Sequence, residues 1–99
     1  MLDEAAEEMT AAATWYEQRR PGLGDRFLDA VEATVQFIRE APLAGSLVPL
    51  PDLTVPVRRQ PVPGFPFVIN YITEPALSVV AVAHTSRRPG YWRARLGRR

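Results

Sequence analysis

The sequence predicts an α+β fold, with an antiparallel helical hairpin laid on one face of a three-stranded antiparallel sheet. Two observations carry that prediction. Apolar residues recur with a helical period as far as residue 40, then give way to short β-rich runs that are apolar on both faces. Proline and glycine cluster between these segments, where turns belong. A length of 99 residues fits one domain, residues 1–99, with one modest core.

The first helix is expected over residues 2–20. Leu2, Ala5, Ala6, Met9, Ala12, Ala13 and Tyr16 form its apolar stripe, and Arg20-Pro21-Gly22 ends it. The second is expected over residues 25–40, with Phe27, Leu28, Val31, Val35 and Ile38 on one side, Gly24-Asp25 at its start and Pro42 beyond its end. A short loop between two helices makes an antiparallel hairpin. Residues 41–53 hold Pro42, Gly45, Pro49 and Pro51 and read as a surface connection with little regular structure.

Strands are expected over residues 54–60, 65–73 and 77–83. Pro56 makes the first an edge or bulged strand, because proline cannot donate to a ladder. The turns between them are Pro61-Val62-Pro63-Gly64 and Glu74-Pro75-Ala76. Strands apolar on both faces are usually central or covered. A basic tail, residues 84–99, carries six arginines with Tyr91 and Trp92 among them.

Composition narrows the chemistry. With no cysteine there is no disulfide and no thiolate metal site, and the single histidine has no carboxylate cluster beside it in sequence. No metal or cofactor is expected. The acidic N-terminus does not resemble a signal peptide, and no apolar run is long enough to span a bilayer, so no membrane association is expected and the default location is the cytoplasm. Charge is unevenly spread. Residues 1–45 hold nine acids and four arginines, whereas residues 46–99 hold two acids and eight arginines. Such a basic half suits an acidic partner or nucleic acid, or is simply a solvated face.

An ordered set of short motifs runs along the chain: Glu4-Ala5-Ala6, Trp15-Tyr16-Glu17, Gly22-Leu23-Gly24, Arg26-Phe27-Leu28-Asp29-Ala30-Val31-Glu32 and Ala41-Pro42. Val57-Arg58-Arg59, Phe65-Pro66-Phe67-Val68-Ile69-Asn70-Tyr71, Val79-Val80-Ala81-Val82-Ala83-His84, Arg87-Arg88-Pro89, Tyr91-Trp92 and Arg95 follow. Together they closely resemble the RelE/ParE family of type II toxins, also called plasmid stabilisation proteins, and within it the ParE branch. The resemblance implies a β-α-α-β-β-β order and a cognate antitoxin that wraps the toxin. It also implies a target, DNA gyrase for ParE-like members, or the ribosome and its mRNA for RelE-like members. This chain begins almost at the first helix, so the leading family strand is expected to be missing and a sheet edge left unpaired.

Cleaving RNA needs a base, an acid and cations to hold the phosphorane charge. Arginine supplies only the last of these, and lysine is absent. His84 is the one histidine, the side-chain type that titrates near neutrality. It reads either as a hydrogen-bonded strand-end residue or as a general base. Glu74, the only acid after residue 60, falls in a turn, so no acid/base pair stands out and binding without chemistry is the favoured mode.

The candidate target- or antitoxin-binding residues are Arg58, Arg59, Arg87, Arg88, Tyr91, Trp92 and Arg95. Arg58 and Arg59 are adjacent on a strand and must point to opposite faces. Arginine with aromatics suits phosphate contacts and stacking, and also a protein hot spot. Equally, Tyr91 and Trp92 are suited to pinning the tail to the domain. The expected function is a ParE-like toxin that inhibits gyrase by binding and is neutralised by an antitoxin. The alternatives are a ribosome-dependent mRNA endonuclease and a truncated, non-toxic interaction domain.

Overall fold

The computed structural model describes residues 1–98; Arg99, the last residue of the basic tail, lies outside them. Helix α1 spans Asp3–Arg19 and α2 spans Leu23–Glu40. Between them Gly22 takes a left-handed backbone, φ 88°, which a residue without a Cβ adopts freely. The start of α2 is capped across the hairpin. Glu17 accepts hydrogen bonds from the Gly22 N–H at 2.9 Å and the Gly24 N–H at 3.0 Å. It thereby satisfies donors that the helix itself leaves open and places an anion at the positive end of α2. The two helices also touch closely here, since a Cβ on Gly24 would stand 2.6 Å from the Ala13 carbonyl oxygen. Phe27, Val31, Thr34 and Ile38 form the buried stripe of α2.

The sheet has four strands among the described residues: β1 Ser46–Leu47, β2 Arg58–Pro61, β3 Phe67–Ile72 and β4 Ser78–His84. They lie in the order β1-β2-β3-β4, with every neighbour antiparallel. The α+β class stands, with one strand more than the three expected. The addition is β1, two residues inside the connection expected to lack regular structure, pairing Ser46 with Arg59 and Leu47 with Arg58. Long-range bonds hold it there. Arg58 donates to the Leu43 and Gly45 carbonyls at 3.1 and 2.8 Å. The Gly45 N–H donates to the Tyr71 hydroxyl, which in turn donates to the Pro42 carbonyl at 2.8 Å. The expected strand over 54–60 begins only at Arg58, because Pro56 has no N–H to offer a ladder. The turn before β4 contains a cis Glu74–Pro75 bond.

Both sheet faces are covered. On one, Phe67, Ile69, Tyr71, Val79 and Val82 meet Ala5, Ala13, Phe27, Val31 and Ile38 of the helices. Tyr16, Phe27, Phe65 and Phe67 cluster there, with edge-on contacts such as Phe27–Phe67 at 4.9 Å between centroids. On the other face, Val57, Ile72, Val80 and Ala81 are covered by Trp92 and Leu96 of the tail, which winds into a 3₁₀ helix at Arg93–Arg98. A β-bulge opposite Asn70 and Tyr71 lets the adjacent Val80 and Ala81 both serve this second core. The order of layers is therefore helices, sheet, and then loop with tail, which is why β3 and β4 are apolar on both sides.

Candidate functional site

The tail does not cover all of the second face. Beside the Trp92 contact lies a hollow of about 110 Å³. Its floor is Val68, Asn70 and Ala83, and its walls are Arg59 and the loop bearing Thr85, Arg87 and Arg88. Register explains the composition. Val68 pairs with Ala83 and Asn70 with Ala81, so small β4 side chains leave space, while Arg59 pairs with Asn70 and overhangs the same face. Backbone bonds shape the loop: Thr85 N–H to the Pro66 carbonyl at 2.9 Å, Arg87 N–H to His84 at 3.0 Å, Tyr91 N–H to Arg88 at 3.2 Å. Gly90 turns the chain at φ 77°.

The hollow is electrostatically one-sided. Arg59, Arg87 and Arg88 are exposed, and none of them forms an ion pair among the described residues. No aspartate or glutamate lines the hollow among the described residues. Asn70 is only 4% exposed, yet its amide makes no hydrogen bond among the described residues, and its polar atoms are not sealed from solvent. The Asn70 amide is thus open to a polar ligand or to water from the hollow.

The other half of the tail constellation does something different. Tyr91 donates its hydroxyl proton to Glu8 of α1. Arg95 forks onto the same carboxylate at 2.9 and 3.0 Å and also donates to the Val80 carbonyl at 3.1 Å. Glu8 further accepts the Val82 N–H at 3.1 Å. Burial, then the hydrogen bond to Glu8, pushes the Tyr91 phenol well above its ordinary range; the hydrogen bond to Glu8 raises Arg95 too. Trp92 is 3% exposed. Tyr91, Trp92 and Arg95 thus fasten the tail to α1 and β4. Arg87 lies 3.8 Å over the Tyr91 ring and links this clamp to the hollow.

The remaining candidates are separated by face. Arg58 pairs with Tyr71 on the helix side, with its guanidinium spent on the Leu43 and Gly45 carbonyls. His84, exposed at the end of β4, stacks edge-on to Phe67 at 5.2 Å. Its Nδ1 accepts the Ser86 N–H at 3.0 Å and contacts the Ser86 hydroxyl at 2.8 Å. It stands at the rim of the basic hollow and of a second, apolar one formed with Ala12, Trp15, Tyr16, Pro66 and Phe67. Sequence reasoning did not single out Glu8 or Asn70. Glu8 falls between Ala5 and Ala12 at helical spacing on the buried stripe, and Asn70 is the lone amide in a two-sided apolar strand, so each carried a visible signal.

No helix among the described residues is long and apolar enough to cross a membrane. No curated protein and no solved structure matches the chain. A family model described as the ParE toxin of type II toxin-antitoxin system, parDE, matches residues 1–89, which include the two helices, all four strands and every arginine of the hollow. On that match the chain belongs to the ParE toxin family, and as a type II toxin it implies an antitoxin partner.

Proposed function

We propose that this chain is a toxin that inhibits DNA gyrase by binding, without chemistry of its own, in the cytoplasm, and that its cognate antitoxin silences it by covering the basic face. The observation that carries this reading is the hollow itself: three arginines and an amide without a hydrogen-bond partner among the described residues, with no aspartate or glutamate among its described lining residues to act as general acid or base. Such a site can hold an anion, and His84, the lining group suited to moving a proton, has no carboxylate partner among the described residues of the hollow. Purified protein should therefore stabilise gyrase cleavage complexes or block supercoiling at near-stoichiometric ratios. No effect on either at any ratio removes gyrase as the target.

One observation favours an RNA-cleaving alternative: His84 stands at the rim of the same hollow as Arg59, Arg87 and Arg88. In that reading His84 is the base and the arginines hold the phosphorane charge. His84→Ala should then abolish growth arrest and mRNA cleavage together; retention of both removes the role.

A further inference from the structure

Three guanidiniums without ion-pair partners among the described residues surround one small hollow, and a 4%-exposed amide in its floor has no hydrogen-bond partner among them either. Guanidinium forks and a side-chain amide are donors matched to a planar oxyanion. The volume, about 110 Å³, suits a single anionic group with a few waters. The anion could be a nucleic-acid phosphate or a protein carboxylate, and the surrounding aromatics decide between them. Single-stranded nucleic acid is held by basic grooves that also offer free aromatic faces for bases to stack on. Here Trp92 is 3% exposed, and the Tyr91 ring carries Arg87 at 3.8 Å and Arg95 at 5.3 Å. Neither ring offers a stacking platform. The basic track is also short, because Arg58 is on the other face of the sheet with its guanidinium bonded to carbonyls.

We propose that the hollow is a carboxylate subsite for an acidic peptide partner, taking one glutamate or aspartate side chain between Arg59, Arg87, Arg88 and the amide of Asn70. This rests on the reading of the chain as a toxin with an antitoxin, and it names the contact by which an acidic antitoxin segment is anchored. Asn70 sets its specificity: its NH₂ is a donor for a carboxylate oxygen, and an acid at the same position would occupy the hollow itself.

The test is a titration of the full chain, ¹⁵N-labelled, with a hexaglutamate peptide, a hexaglutamine peptide and a hexauridylate RNA. The signals read are the arginine Nε–H and Asn70 side-chain NH₂ resonances. Hexaglutamate should saturate at one site, moving Asn70 and the three arginines, and hexaglutamine should not. Arg88→Gln should weaken hexaglutamate binding at least about fivefold, and Asn70→Asp at least about tenfold, as charge-assisted bonds are lost or replaced by repulsion. Arg26→Gln, on the helical layer, should leave it unchanged. Thermal unfolding of each variant establishes that it is folded.

The proposal is overturned if folded Asn70→Asp binds like the unmodified chain, if Arg26→Gln weakens binding as much as Arg88→Gln, or if hexauridylate binds more tightly through the same resonances. Growth arrest, rescued by the neighbouring gene product, tests the toxin reading separately. Arrest with a failed titration sinks the subsite alone, and saturable peptide binding by a chain that never arrests growth sinks the toxin reading alone.

Discussion

Glu8 accepts from a backbone amide of β4, a tyrosine hydroxyl and both prongs of an arginine, with its side chain only 17% exposed. Four donors on one carboxylate tie α1, β4 and the tail into a single unit. Glu8→Ala leaves Arg95 14% exposed without its counter-charge, and it should cost about 3 kcal/mol, read by chemical denaturation. Glu8→Gln, which keeps an acceptor but drops the charge, should cost less. Tyr91 adds a pH signature. Its phenol is held protonated by burial and by Glu8, so the folded chain binds that proton more tightly than the unfolded chain, where tyrosine has its ordinary value of 10.0. Its stabilising contribution is complete below that pH and is lost as pH rises beyond it toward the raised folded value. Tyr91→Phe should therefore flatten the decline of stability above about pH 10, and an unchanged slope would show that the phenol is not the group responsible. Residue-scale roles were the least legible in the sequence. The run Arg87 to Arg95 reads as one basic aromatic patch, yet it divides into a clamp and an open hollow. What divides it is the position of Glu8, some eighty residues away along the chain.

At the scale of elements, periodicity placed the helices well because each buries one stripe, and local pattern reports a stripe directly. The hairpin cap was not legible. Gly24-Asp25 reads as a start signal, but the carboxylate that satisfies the first N–H groups of α2 is Glu17, back in α1. Glu17→Ala should cost about 1–2 kcal/mol, as for a lost N-cap joined to a lost dipole contact. Glu17→Asp, one methylene shorter, should recover only part of it, and thermal unfolding of the pair reads the difference. An equal loss in both would point to reach, rather than charge, as the requirement. Strand β1 was hidden for a different reason. Two residues between Gly45 and Pro49 show no alternation, and the strand exists because Arg58 and Tyr71 hold the preceding loop by its carbonyls and an amide. Short edge strands are products of tertiary contact more than of local preference.

For the whole molecule, the consequential feature is that the sheet needs a cover on both sides. Two-sided apolar strands announce this in the sequence, and the helical hairpin accounts for only one side. The second cover comes from Trp92 and Leu96, which lie beyond residue 89, where the match to the ParE family ends. Trp92 and Leu96 therefore belong to the fold even though the family-model match stops short of them. Trp92→Ala should cost about 3–5 kcal/mol, in line with large aromatic truncations in a core. A domain of this size is stable by only about 5–15 kcal/mol, so that loss is a large share of the total. Removing residues 91–99 takes away Trp92, Leu96 and both partners of Glu8 in the tail, and should abolish cooperative unfolding altogether. Arg88→Gln, exposed on the adjacent loop, should leave the thermal midpoint within a degree or two, as surface changes generally do within about 0.5 kcal/mol. The two outcomes separate the roles of neighbouring tail residues. A truncated chain that still melts cooperatively near the original midpoint would mean that the second face tolerates exposure, and that the tail is an appendage rather than a layer of the fold.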